Sequence, residues 1–289
     1  MTRGTDDAFR TLLDGAHTTN DSLLCVGLDP DLSRLPAPLR HETNVTRAIV
    51  AFNAGIIEAT SDLAYAYKPN LAFYMAHGVP GLLALEETRR LIPRHIPALL
   101  DAKVGDLANT SLAYAAGYFD AWDFDAVTVN PYMGEDSLAP YLGRGDRGVF
   151  VLCKTSNPGS GDLQDIQVPS GSVTQPLYLT VADRVAEWSG RWPATLGLVV
   201  GATWPGELAE IRERCPSQPI LLPGIGAQGG DIAGSLRVGL DSSGSGLLLS
   251  ASRSVIFAGE HAGEEWVAAV RRAATDLRNE INAARPVAA

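Results

Sequence analysis

A chain of 289 residues, 46% apolar and carrying a formal net charge of −10, is long enough for one large α/β domain; barrels of that class run to about 250 residues. No stretch approaches the roughly 20 consecutive apolar residues of a membrane helix, and an acidic chain without a basic stripe is a poor partner for nucleic acid. Cys25, Cys153 and Cys215 are odd in number and widely spaced, which argues against a disulfide framework or a thiolate metal site.

The N-terminal segment has early acids and no apolar core, so it predicts an amphipathic helix over about 5–16 rather than a secretory signal. A cytoplasmic protein is the expectation. The first short apolar run, Leu23–Leu28, ends in Asp29 and is followed by Pro30–Glu42, a loop with three prolines. Thr43 is then the capping candidate for a helix on which Val45, Ile49, Phe52 and Ile56 recur at helical spacing. The second run, Leu63–Tyr67, ends in Lys68, and the third, Ala98–Leu100, continues through Asp101 to Lys103. Ala126–Val129 precedes Asn130, and Val149–Cys153 precedes Lys154. Thr155–Ser172, rich in glycine and serine, reads as a long loop and a lid candidate. Leu196–Val200, Ile220–Leu222 and Leu247–Leu249 follow, with Arg253 shortly after the last. Trp266, Val270, Ala273, Leu277 and Ile281 mark a final helix before a short C-terminal tail.

Eight continuous apolar runs alternating with helical segments predict parallel strands covered on both faces and joined by right-handed crossovers. The fold class is α/β, a (β/α)₈ barrel, with residues 1–289 as a single domain. Polar residues gather at the C-terminal ends of the runs, the edge where such barrels build active sites.

The chain has 20 arginines but only three lysines, Lys68, Lys103 and Lys154, and each falls at the end of a run. Lysine can be tuned into a proton donor by its surroundings, whereas arginine holds its proton. In Asp101-Ala102-Lys103-Val104-Gly105-Asp106 the first and third residues face the same side of a regular strand. Opposite charges about 4 Å apart attract by roughly 4 kcal/mol at an effective dielectric near 20, enough to aim an ammonium. Asp106 can reach that amine from a loop or from a second subunit, and Lys68 can neutralise Asp101 from its other side. A purely structural ion-pair network would use the same residues, but clusters of this kind tend to mark functional sites.

Gly224-Ile225-Gly226-Ala227-Gln228-Gly229 matches the pattern GxGxxG, yet no acid follows at the spacing a dinucleotide site requires. After a seventh barrel strand, a glycine-rich turn paired with Arg253 suits a phosphate instead. The histidines His17, His41, His77, His95 and His261 form no ligand spacing, and no metal motif or GxSxG nucleophile elbow appears.

With Val26-Gly27-Leu28-Asp29-Pro30, Tyr67-Lys68-Pro69-Asn70, the 101–106 motif, Thr155-Ser156-Asn157-Pro158-Gly159, the 224–230 turn and Arg253 in order, the sequence resembles the orotidine 5′-phosphate decarboxylase family in its longer bacterial form. The resemblance implies decarboxylation of orotidine 5′-monophosphate to uridine 5′-monophosphate, in pyrimidine synthesis, without metal or organic cofactor. It implies that Lys103 protonates C6, that Asp101 lies beside the substrate carboxylate, and that Lys68 and Asp29 hold the ribose. Ser156 would read the pyrimidine edge, and Gln228, Gly229 and Arg253 would bind phosphate. Asp106 and Thr110 would be supplied across a homodimer. The alternatives are a magnesium-dependent sugar-phosphate decarboxylase or epimerase on the same fold, and a non-catalytic nucleotide-binding barrel.

Overall fold

The computed structural model describes residues 8–225, 230–260 and 265–286. Eight parallel strands form its central sheet: β1 (Leu24–Gly27), β2 (Ala66–Lys68), β3 (Leu99–Val104), β4 (Ala126–Val129), β5 (Gly148–Lys154), β8 (Thr195–Val200), β9 (Ile220–Pro223) and β10 (Leu247–Ala251). Their order, β2-β1-β10-β9-β8-β5-β4-β3, is that of a barrel. Single bridges at Tyr67–Ala98 and Asn70–Asp101 join its two ends. β6 (Gln167–Ser170) and β7 (Val173–Pro176) make a separate antiparallel hairpin.

All four residues of β1 and β4, and all five of β10, are buried. This is the all-apolar signature of strands covered on both faces. The second strand begins at Ala66, not at Leu63, because Leu63 and Ala64 are buried in the turn that closes the helix Val45–Thr60. That helix is capped by Asn44, whose side chain accepts the Arg47 N–H at 3.0 Å, and not by Thr43. The last helix runs Trp266–Ala283 and buries Val270 and Ile281 as its periodicity predicts.

The described part of the N-terminal helix, Ala8–Asn20, continues a turn beyond 16; its predicted start lies outside the described residues, as does the end of the C-terminal tail. Phe9 on this helix meets Phe150 edge to face at 6.1 Å and lies where a side chain at Gly148, the first residue of β5, would sit. The helix therefore covers the N-terminal end of the barrel. Arg10 continues the contact, donating to Ser217 O at 2.8 Å and to Asp241 at 2.9 Å. Nearby, the buried Arg212 donates to the carbonyls of Gly239, Cys215, Gln218 and Gly246 at 2.8–3.1 Å, tying together the turns that feed β9 and β10. Chemistry is left to the opposite end.

Two predicted loops carry structure. Pro30–Glu42 holds two short 3₁₀ turns, Leu32–Arg34 and Ala37–Leu39. Thr155–Ser172 holds a 3₁₀ turn at Pro158–Ser160, a helical turn at Gly161–Gln164 and strand β6. Its hairpin turns at Gly171, where φ is +60°, a conformation costly for any residue with a Cβ.

Candidate active site

Three neighbouring strands bring the charged residues together. Lys68 ends β2 and is 5% exposed, and Asp101 in β3 is 8% exposed. Lys68 Nζ lies 3.4 Å from Asp101 Oδ2, and Lys103 Nζ lies 2.5 Å from Asp101 Oδ1. The lysines thus take one carboxylate oxygen each. The Lys103 side chain is 44% exposed and faces the open end of the array. Burial by itself would raise the Asp101 carboxyl, but the two ammoniums and the Thr128 hydroxyl outweigh it and hold it at about 2. Burial likewise works against the Lys68 ammonium, and the Asp101 and Asp29 carboxylates overcome it, raising its pKa. Asp101 and Lys68 are therefore both ionised at neutral pH.

Asp29 follows β1 and is fixed from two sides: Oδ1 accepts the Asn70 N–H at 3.0 Å, and Oδ2 accepts the Ser252 hydroxyl at 2.7 Å. Asn70 also donates to Asp101 Oδ2 at 3.3 Å and caps the helix Leu71–Met75. Asp29, Lys68, Asn70 and Ser252 line a cavity of about 280 Å³, and Arg253 stands on its wall as the first residue of the turn Arg253–Ile256. Gly224 lines it as well, and the Gly230 N–H donates to Gly224 O at 3.3 Å, drawing the ends of the glycine-rich turn together. Gln228 and Gly229 lie outside the described residues.

The remaining predicted residues are placed less directly. Ser156 lies against Gly201 at the end of β8, where an added Cβ would come within 2.8 Å of the Ser156 Cβ and N. Asp106 accepts the Leu107 N–H at 2.8 Å and makes no ion pair with Lys103 among the described residues. Thr110 is exposed on the helix Ala108–Ala115 and borders an apolar depression formed with Leu71, Met75, Tyr114 and Trp122. Lys154 does not join the array. It is 1% exposed, pairs with Asp165 at 2.6 Å, and sits 4.8 Å from the Trp204 ring centroid. Trp204 Nε1 donates to Thr155 O at 2.9 Å, so this cluster anchors the segment that carries Ser156.

Sequence reasoning missed Thr128, Asn70 and Ser252 as members of the network. A hydroxyl inside the otherwise apolar run Ala126–Val129 was the available signal for Thr128. Among the described residues no group of His, Cys, Asp and Glu side chains forms a metal-binding cluster.

The family model described as "Orotidine 5'-phosphate decarboxylase / HUMPS family" matches residues 22–266. A curated orotidine 5′-phosphate decarboxylase from Thermomicrobium roseum is 49% identical over 278 residues, covering 96% of both chains. One from Herpetosiphon aurantiacus is 49% identical over 90% of this chain and 92% of its own. Among solved structures, a putative orotidine-monophosphate decarboxylase from Toxoplasma gondii superimposes with a TM-score of 0.86 at 38% identity, covering 98% of this chain and 97% of that one. The OMP decarboxylase of Leishmania donovani gives 0.81 at 42% identity over 97% and 100%. A barrel whose mouth gathers Lys68, Asp101 and Lys103, and whose likeness to these proteins runs nearly end to end, belongs to the orotidine 5′-phosphate decarboxylase family.

Proposed function

We infer that this chain converts orotidine 5′-monophosphate to uridine 5′-monophosphate and carbon dioxide, a carboxy-lyase step of pyrimidine synthesis that needs no cofactor. The observation that carries the reading is the Lys68–Asp101–Lys103 array beside a cavity walled by Arg253. Loss of carbon dioxide leaves a carbanion at C6, which a preorganised ammonium can stabilise and then protonate. Lys103 is the proton donor in this proposal. Asp101 aims it and lies beside the departing carboxylate, while Lys68 and Asp29 hold the ribose hydroxyls. Ser156 contacts the pyrimidine edge, and Arg253, Gln228 and Gly229 take the phosphate. Binding energy from that remote phosphate can be used to fix the reacting end.

The site is shared across a homodimer in this proposal, with Asp106 and Thr110 reaching the neighbouring subunit's substrate. Apolar exposure around them supports it: Met75, Leu107 and Leu112 are 58%, 50% and 53% exposed, and patches of this kind mark interaction surfaces. Residues 1–289 act as one domain, and a cytoplasmic location suits a charged substrate that does not cross membranes unaided. No helix among the described residues is long and apolar enough to span a bilayer. The magnesium-dependent alternative is not favoured: a cation at Asp101 would have to displace two ammoniums, and the full-length relatives carry the decarboxylase name.

The test is turnover of orotidine 5′-monophosphate, followed as falling ultraviolet absorbance, with EDTA present. Turnover is expected to persist under chelation and to fall by several orders of magnitude in Lys103→Ala, which still binds nucleotide. Strict magnesium dependence, or binding without turnover by the unaltered protein, would overturn the proposal.

A further inference from the structure

β3 is not a regular strand. It pairs with β4 at Leu99–Ala126 and Leu100–Val127, and then again only at Val104–Val129. Four steps along β3 are matched by two along β4, so two additional residues are taken up between Leu100 and Val104. Bulges of this sort occur beside active sites because they re-aim a side chain. The residue re-aimed here is Lys103, whose backbone is left-handed with φ +49°. That conformation is unfavourable for a residue with a Cβ and persists only where the surroundings over-determine it.

Thr128 supplies that constraint. It is fully buried and stands opposite the bulge, between the paired residues Val127 and Val129. Its Oγ1 accepts the Lys103 backbone N–H at 2.9 Å and donates its own proton to Asp101 Oδ1 at 2.9 Å. A hydroxyl has a single proton, so the two bonds have a fixed direction. Ionised Asp101 accepts the hydroxyl's hydrogen bond, and an oxygen lone pair accepts the lysine N–H. Asp101 Oδ1 also accepts Lys103 Nζ. Thr128 therefore ties down both ends of Lys103, its backbone directly and its ammonium through Asp101.

We propose that Thr128 is a positioning residue for proton delivery, its hydroxyl holding the left-handed Lys103 backbone and the Asp101 carboxylate in one geometry. The inference rests on the reading of Lys103 as the proton donor. Misplacing a reacting group by about 1 Å costs on the order of a hundredfold in rate, which sets the expected effect.

Thr128→Val keeps the shape and removes the hydroxyl, whereas Thr128→Ser keeps the hydroxyl. We expect Thr128→Val to lower kcat on the order of a hundredfold, with uridine 5′-monophosphate affinity within about threefold of the unaltered enzyme. The Lys103 amide, followed by NMR hydrogen exchange, is expected to exchange faster in Thr128→Val. Thr128→Ser is expected to restore kcat to within about threefold and to restore slow exchange. Were Thr128→Val not to fold, Thr128→Cys offers a similar size with a weak hydrogen bonder and should give the same split. The proposal is overturned if the valine or cysteine variant keeps kcat within about threefold, if serine loses as much as valine, or if kcat and product affinity fall in equal proportion. Absence of turnover by the unaltered protein defeats the proton-donor reading instead, and the exchange comparison then decides alone whether Thr128 holds the bulge.

Discussion

Asp101→Asn removes the charge on which the array balances while keeping its size. In the native chain the carboxyl is held at about 2 instead of the ordinary 3.8, although burial opposes this. At 1.36 kcal/mol per unit of pKa, the gap is worth roughly 2–3 kcal/mol of folding stability. The folded value is depressed, so this contribution is present above about pH 4 and is lost as pH falls toward 2. The substitution also leaves Lys68, 5% exposed, without the carboxylate 3.4 Å away. Breaking a buried pair typically costs about 3–5 kcal/mol. Asp29 still raises the Lys68 pKa, which puts the expected loss near the lower end, at about 3 kcal/mol at pH 7. Urea denaturation of both proteins, followed by circular dichroism from about pH 7 to pH 2.5, reads this directly. The native protein should hold its margin down to about pH 4 and then converge on the variant. A variant within about 1 kcal/mol of native at pH 7, or a gap that stays constant through the acid range, would refute the charge-balance argument.

Four further outcomes follow from the same geometry. Mixing Lys103→Ala with Asp106→Ala subunits should restore activity through one intact hybrid site per dimer; exchanged dimers that stay inactive would count against a shared site. Gly201→Ala places a Cβ 2.8 Å from Ser156 and should raise KM on the order of tenfold with a smaller change in kcat, measured by steady-state kinetics; unchanged KM would detach Ser156 from substrate. Arg212→Met strands the four carbonyls its guanidinium serves and should cost about 3–5 kcal/mol in urea unfolding, with activity per folded molecule unchanged. Lys154→Met releases Asp165 and should speed proteolytic nicking within 155–172; digestion at the native rate would show that the pair does not anchor that segment.

The barrel was legible because each buried parallel strand is a short continuous apolar run and each turn is polar. Apolarity alone starts the second strand too early because it reports burial, and Leu63 and Ala64 are buried in a turn. Thr43 and Asn44 are both capping types, and only the position of the Asn44 oxygen against Arg47 N separates them. The segment 155–172 has the composition of a loop, yet Gly171 lets it fold back as a hairpin. At the site, the motif 101–106 revealed which charges meet but not how. Reading 101 and 103 as neighbours on a flat pleat assumes a regular strand, and the bulge with its left-handed lysine departs from that period. Thr128 stands out in the sequence only as a hydroxyl within an apolar run; its partners are set by a register shift that periodicity does not encode.

Barrel order explains how residues so distant in sequence come together at one end of the sheet. Arg253 follows β10, Asp29 follows β1, Lys68 ends β2 and Lys103 lies in β3, and these are four consecutive strands around the ring. Three strand spacings of about 4.8 Å put the cation of β10 and the ammonium of β3 roughly 14 Å apart along the arc. Arg253 lines the cavity beside Asp29 and Lys68, and the half-exposed Lys103 pairs with Asp101. The two carboxylates stand within that span, each already bonded on both oxygens. A ligand entering there meets fixed partners, so little reorganisation remains to be done when charge develops at the reacting carbon. On the proposed assignment, a phosphate at Arg253 is held without disturbing Lys103, because the two are built on different strands and share only the sheet between them.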